Sequence, residues 1–176
     1  MAVSIVLAVI VGGMAGQLRH AVGAAPILAA LLWAACFLRK RDVALIGIGA
    51  MLIHDAIAGV SVFTIVRVVA MLGVIGVIWA IRVRPTWLSL LSGLVLVAPT
   101  YHLVLATGDW VTQFCTQAPH TLPGLAATLM SAFPYFQRSF VSEVLYSAAF
   151  LGVYALSGSA IRLWWPAAFP QPISAK

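Results

Sequence analysis

Charged side chains are scarce in this sequence: only 8% of its 176 residues are Asp, Glu, Lys or Arg, and only 4 of those are acidic. A soluble globular domain has about a quarter of its residues charged, so this scarcity excludes an ordinary water-soluble fold. Hydrophobic residues make up 63% of the chain, and the mean hydropathy is +1.08. The composition therefore predicts an integral membrane protein.

Further absences exclude several kinds of function. The chain has no glycine-rich loop followed by Lys-Ser or Lys-Thr, and Gly12-Gly13 lies inside an apolar run, so no nucleotide-hydrolysing phosphate loop is expected. The net charge of +6 does not indicate nucleic acid as a partner, because the basic residues stand singly or in short clusters at the ends of apolar runs. No polar stretch is long enough for a second domain. We therefore predict one transmembrane domain, residues 1–166, and a short tail, residues 167–176.

Cysteine is nearly absent, and the two that occur are predicted to lie far apart. Cys36 falls near the inner end of an apolar run and Cys115 in an outer loop, about a membrane thickness of 30 Å away. A disulfide bond needs Cα atoms within about 7 Å, so these two cannot form one. No Lys or Arg precedes the first apolar run, which argues against a cleaved signal peptide.

The apolar runs predict an all-α fold, a compact bundle of six transmembrane helices, because one span takes about 20 residues. The runs are residues 2–18, 21–38, two spans within 43–81, 86–106 and a last span that ends near Arg162. A tight turn near Gly59 to Ser61 is expected to join the third and fourth spans, and Pro99 to kink the fifth. Residues 122–133 are apolar but too short to cross, so we expect a short interfacial helix before the last span.

The basic residues predict the orientation of the bundle. With six spans, the loops after the second, fourth and sixth helices lie on one side. Seven of the 10 basic residues belong to that side, against three for the other, and the positive-inside rule then makes both termini cytoplasmic. The seven are Arg39, Lys40, Arg41, Arg82, Arg84, Arg162 and Lys176, and the three are Arg19, Arg67 and Arg138.

A polar stripe opens the last span, between Phe133 and Ser147. At helical spacing Tyr135, Arg138, Glu143 and other polar residues share one face. Charged groups in lipid are costly unless they face a cavity, a bundle interior or each other, so the first interpretation is a functional site. The alternative is an ion pair that only locks helices together.

Other polar residues are predicted to reach the same depth. A rise of about 1.5 Å per residue from Val43 brings Asp55 roughly 18 Å into a core about 30 Å thick, and Arg67 and His102 also fall in the outer half. This one-sided distribution favours a pocket open to the outside. The candidate ligand-binding residues are Arg138, Glu143, Tyr135, Tyr146, His54, Asp55, Arg67, His102, Asp109 and Trp110.

Specific contacts are expected within this set. Arg138 and Glu143 are five residues apart, about 140° around a helix, so each needs a partner on another segment. For Glu143 we expect Arg67 or His102, and for Arg138 we expect Asp109 or an anionic group of a ligand.

Three stretches carry a resemblance to a known family. They are residues 26–38, the His54-Asp55 hairpin, and the run from Ala132 to Tyr146, which reads AFPYFQRSFVSEVLY. With the six spans they resemble the substrate-capture (S) components of energy-coupling-factor transporters, and more specifically an uncharacterised bacterial family grouped with them. The resemblance covers roughly residues 16–156.

The resemblance implies a function and partners. It implies capture of a small molecule, such as a vitamin or its precursor, from outside the bacterial inner membrane. Transport would need a transmembrane coupling subunit with ATPases, and the small residues Ala8, Gly12 and Gly16 resemble the strip that meets this subunit. The chain itself is expected to be neither an enzyme nor a cofactor carrier.

Three other functions stay open from the sequence. Capture of a transition metal would suit the four histidines and neighbouring carboxylates, although no two lie three or four residues apart, and no metal site is predicted. An accessory subunit of a larger membrane complex is a second alternative. An intramembrane hydrolase using Ser142 or Ser139 with His102 is a third, and no sequence signature supports it.

Overall fold

The computed structural model describes residue 10, residues 27–81 and residues 83–164, with side chains described as far as residue 156 apart from those of residues 58 and 82. Five helices occur in the ranges from residue 27, and these ranges contain no strand. The helices are α1 (Ile27–Ala35), α2 (Lys40–Ala58), α3 (Val62–Ala80), α4 (Trp87–Thr112) and α5 (Leu122–Trp164). The predicted all-α class is confirmed.

The described helices include three that are long and apolar enough to cross a membrane. These are Val62–Ala80, Trp87–Thr112 and the stretch Leu122–Leu156 of α5. The protein is therefore a membrane protein, as its composition predicts. The predicted first span, its strip of Ala8, Gly12 and Gly16, and the C-terminal tail lie outside the described residues, apart from residue 10, which is helical.

The helix–turn–helix arrangement predicted within residues 43–81 is present, and of its two helices α3 is long and apolar enough to span a membrane. Helix α2 ends at Ala58 and α3 begins at Val62, so only three residues form the turn. Gly59 has a φ of 100°, a conformation that side chains with a Cβ disfavour. Ser61 then opens α3 with a capping box, in which its side chain accepts from the backbone of Thr64 and the Thr64 side chain accepts from the backbone of Ser61.

Two predicted boundaries are wrong. The short interfacial helix is not separate, because α5 runs without a break from Leu122 to Trp164 with Pro134 inside it. Proline removes one hydrogen bond and costs about 3 kcal/mol in a helix interior, a cost that the other turns of this 43-residue helix outweigh. Helix α4 likewise continues past Ala106 to Thr112, so Asp109 and Trp110 lie in its last turn and not in a loop.

Helix α1 is the centre of the packing. It contacts α2, α4 and α5, and its Leu31 and Leu32 are fully buried. Glycines on the neighbouring helices allow this close approach: a Cβ at Gly93 of α4 would lie 2.9 Å from the Leu32 side chain, and one at Gly47 of α2 would lie 3.1 Å from Leu31. A short helix in the middle of the bundle thus leaves its N-terminus among the polar residues of the other helices.

Candidate functional site

An ion pair joins the two arms of the hairpin. Arg67 of α3 donates from Nη1 to Oδ1 of Asp55 on α2, and Nδ1 of His54 lies 3.1 Å from the same oxygen. The Arg67 guanidinium also sits 5.3 Å from the centre of the Phe63 ring, a cation–π contact. Asp55 is fully buried, and its second oxygen, Oδ2, has no hydrogen-bond partner. The charges of this pair are compensated within the protein.

Glu143 is bound by backbone amides. The side chain is buried, and its two oxygens accept hydrogen bonds from the N–H groups of Leu28 at 3.2 Å and Ala29 at 2.6 Å. These are the second and third residues of α1, whose amides have no acceptor inside the helix. A carboxylate there also interacts favourably with the helix dipole. Glu143 thus caps α1 from α5.

This contact differs from the predicted one. Arg67 and His102 are not the hydrogen-bond partners of Glu143, because Arg67 pairs with Asp55 and His102 Nε2 has no partner. The sequence contained a signal for the true partner: Ala24, Ala25 and Pro26 precede α1, and none of them offers a capping side chain. A helix start of this kind needs an acceptor from elsewhere in the fold.

Tyr101 of α4 lies near both the Asp55–Arg67 ion pair and Glu143. The phenol is within electrostatic range of Arg67, Asp55 and Glu143, so charged residues of three other helices lie around it. The Tyr101 ring contacts the ring of His102 edge-on at 5.6 Å. The predicted convergence of polar residues from different helices is therefore present for this part of the set.

His102 lines a groove between α4 and the first half of α5. The groove has a volume of about 310 Å³. Its α4 side is Pro99, His102, Leu103 and Ala106, and its α5 side is Leu129, Met130, Ala132, Phe133 and Phe136. The His102 ring packs edge-on against Phe136 at 5.3 Å, and its Nε2 is buried without a hydrogen-bond partner. An apolar groove with one polar group matches the general composition of small-molecule sites.

A second groove, between α3 and α4, has different chemistry. It measures about 410 Å³ and contains no titratable residue. Gly108 lies in it, and a Cβ at this position would come within 2.1 Å of the Val66 side chain. This groove therefore marks a close crossing of two helices and offers a ligand no ionisable partner.

Asp109 and Trp110 build the loop that follows α4. Asp109 Oδ1 accepts from the Cys115 backbone N–H at 2.6 Å, and Trp110 Nε1 donates to the Pro119 carbonyl at 3.0 Å. His120 Nε2 donates to the Trp110 carbonyl at 3.1 Å. Asp109 and Trp110, both predicted to bind a ligand, thus stabilise the loop.

The same loop contains an exposed thiol. The part of the Cys115 side chain that is shielded from solvent raises the pKa of its thiol most, and the neighbouring Asp109 carboxylate raises this pKa further. Cys115 and Cys36 are both free thiols, as their predicted separation requires.

The remaining predicted residues stand apart from the two polar groups. Tyr135 and Arg138 are exposed, and Tyr146 is half-buried. Arg138 makes no ion pair within the described part of the chain, so the predicted contact with Asp109 is absent. Sequence reasoning also missed the apolar lining of the groove, because its residues have the same pattern as ordinary core positions.

The described residues contain no group of three His, Cys, Asp or Glu side chains that could hold a metal ion. His54 and Asp55 would supply only two metal ligands, and the Asp55 carboxylate already pairs with Arg67. The geometry therefore gives the metal-capture alternative no support in these ranges. The hydrolase alternative gains none either, since no serine hydrogen-bonds to His102 Nε2.

Comparison with known proteins assigns the chain to a family. No curated protein and no solved structure matches it. The profile described as "Family of unknown function (DUF6580)" matches residues 1–167. This range contains every helix described above and every predicted binding residue. The chain belongs to the DUF6580 family.

Proposed function

We propose that the protein captures a small molecule in the outer half of the membrane for uptake, in the manner of the S components of energy-coupling-factor transporters. The observation that carries the proposal is the groove of about 310 Å³ between α4 and α5, which has His102 in its wall. Its volume is at the lower end of the range of about 300–1,000 Å³ for small-molecule sites.

The distribution of polar residues supports this proposal. Asp55 and Arg67 lie near the turn of the α2–α3 hairpin, and Glu143 binds the start of α1. The opposite ends of α2 and α3 meet where Lys40 Nζ donates to the Trp79 carbonyl and Trp79 Nε1 donates to the Lys40 carbonyl. Within the described residues, the buried carboxylates Asp55 and Glu143 thus lie away from the Lys40–Trp79 contact.

The topology belongs to the same proposal. Six spans with both termini in the cytoplasm put seven of the 10 basic residues on the inner side and the groove in the outer half. The membrane is then the bacterial inner membrane. A coupling subunit with ATPases is the proposed partner, and the strip Ala8, Gly12 and Gly16 is its proposed contact.

The candidate binding residues then have two kinds of role. Asp55 and Arg67 join α2 to α3, and Glu143 joins α5 to α1, so these three have a structural role and their charges are already compensated. His102 is the proposed direct contact. Tyr135 and Arg138 are exposed and do not line the groove, so they are not proposed as direct contacts of a ligand inside it.

Mass spectrometry of the purified protein tests the proposal. The wild type, purified without added ligand, should carry a small molecule that denaturation releases. Met130→Trp puts a larger side chain into the groove and should lose that molecule. Val141→Trp is the matched control, because Val141 is an exposed position of the same helix outside the groove. Equal amounts of the molecule in all three proteins would contradict the assignment.

A further inference from the structure

The chemistry of the groove narrows the ligand class. We infer that it takes a neutral, largely apolar molecule that carries one hydrogen-bonding group for His102. This inference rests on the proposed function, since it concerns the ligand of the same groove.

The lining excludes a charged ligand. Apart from His102, every residue in the described part of the chain that lines the groove is apolar. A charged group moved from water into such surroundings needs a counter-charge, and without one its transfer is very unfavourable. The ligand must therefore be neutral unless a charge from a neighbouring region reaches it.

The neighbouring charges are already in use. Asp55 binds Arg67 and His54, and both oxygens of Glu143 accept backbone N–H groups of α1. Arg138 is only two residues from Phe136, but two residues turn a helix by about 200°, so the two side chains lie on opposite faces of α5. Among the residues that the structure describes, no charged side chain lines the groove, so none of them compensates a ligand charge there.

His102 supplies the polar part of the recognition. Its ring is held edge-on against Phe136, which is itself part of the lining. Nε2 is buried and has no hydrogen-bond partner among the described residues, and leaving a buried polar group without a hydrogen bond is unfavourable. With the imidazole neutral and protonated at Nδ1, a ligand N–H or O–H group would donate to Nε2.

Three probes of similar shape separate these features. N-phenyl-1-naphthylamine is neutral and has one N–H group, 8-anilino-1-naphthalenesulfonate adds a negative charge to the same rings, and 1-phenylnaphthalene lacks the N–H group. Native mass spectrometry of the full-length protein with each probe gives the fraction that carries one bound molecule. The variants are Met130→Trp, which fills the groove, Val141→Trp as its control, and His102→Phe, which keeps an aromatic ring and removes the nitrogen.

The neutral amine should bind the wild type and Val141→Trp equally, and Met130→Trp at least about tenfold more weakly. One hydrogen bond makes a difference of about tenfold in affinity, so 1-phenylnaphthalene should bind the wild type about tenfold more weakly than the amine. His102→Phe should abolish this difference. The sulfonate should bind the wild type no better than it binds Met130→Trp.

Each other result has a separate meaning. Equal binding of the sulfonate and the amine in the groove would overturn the inference of a neutral ligand and leave the proposed function intact. A difference between the amine and 1-phenylnaphthalene that persists in His102→Phe would overturn the role of His102. Displacement of the amine by dioleoylphosphatidylcholine at equal concentration would assign the groove to lipid chains and overturn the inference. If no probe distinguished the wild type from Met130→Trp, the proposed function itself would be contradicted.

Discussion

Replacing Glu143 by glutamine removes the negative charge from the cap of α1 and keeps the size of the side chain. The carboxylate accepts two hydrogen bonds, from the N–H groups of Leu28 and Ala29. A glutamine offers only one oxygen and turns an NH₂ group, itself a donor, toward the other amide. One backbone donor at the N-terminus of α1 then has no acceptor in the interior of the bundle.

The magnitude follows from these contacts. A hydrogen bond to a charged group contributes about 1.5–3 kcal/mol, and a charge at a helix end adds about 0.3–1 kcal/mol. We therefore expect Glu143→Gln to lower the free energy of unfolding by about 2–4 kcal/mol. For a chain of 176 residues this corresponds to a fall in Tm of roughly 4–16 °C. Intrinsic fluorescence during heating of the protein in detergent measures it.

Two controls make the experiment specific to the cap. Gln137→Ala changes an exposed position of the same helix and should alter the stability by less than about 0.5 kcal/mol. The double variant Glu143→Gln/Arg67→Gln should lose the sum of the two single effects, because the residues do not pair in the structure. A double variant more stable than this sum by more than about 1 kcal/mol would indicate a Glu143–Arg67 ion pair and refute the capping account.

The ion pair of the hairpin gives a second prediction. Asp55→Asn or Arg67→Gln alone should lower the free energy of unfolding by about 3–5 kcal/mol, and the double variant should recover much of this loss. The Tm values of the three variants measure these differences. A loss in the double variant equal to the sum of the two single losses would contradict pairing. Gly108→Ala should lower the Tm because its Cβ would clash with α3. Gly152→Ala, with open space around it, should leave the Tm unchanged or raise it. The same change in Tm for both variants would contradict the close crossing of α3 and α4. Native Cys115 should react with a membrane-impermeant maleimide added outside whole cells, and reaction only from the cytoplasmic side would contradict the proposed orientation.

The hairpin was predictable from the sequence, and so was the approach of its polar residues. The length of residues 43–81 and the turn at Gly59 gave both arms, and a constant rise per residue then put Asp55 and Arg67 at similar depths. Depth alone does not determine which charged side chains form an ion pair. It suggested Arg67 as a partner of Glu143, whereas in the structure Arg67 pairs with Asp55 and Glu143 binds the backbone of α1.

The partner of Glu143 was missed for a physical reason. Arguments from spacing consider which side chains share a face, but this carboxylate binds backbone amides of a distant helix. The prediction of a separate interfacial helix was wrong because apolar length was its only criterion, whereas α5 continues as one helix through Pro134. Groove residues such as Phe136 follow the same apolar pattern as the core, so only the packing of α4 against α5 distinguishes them.

The central claim is that the groove between α4 and α5 binds a small molecule, and an experimental density map of the purified protein tests it most directly. The account predicts compact non-protein density between His102 and Phe136, with a polar group of the bound molecule within hydrogen-bond distance of the imidazole. A groove that is closed by its own side chains, or that contains only the extended density of a lipid chain, would contradict the account.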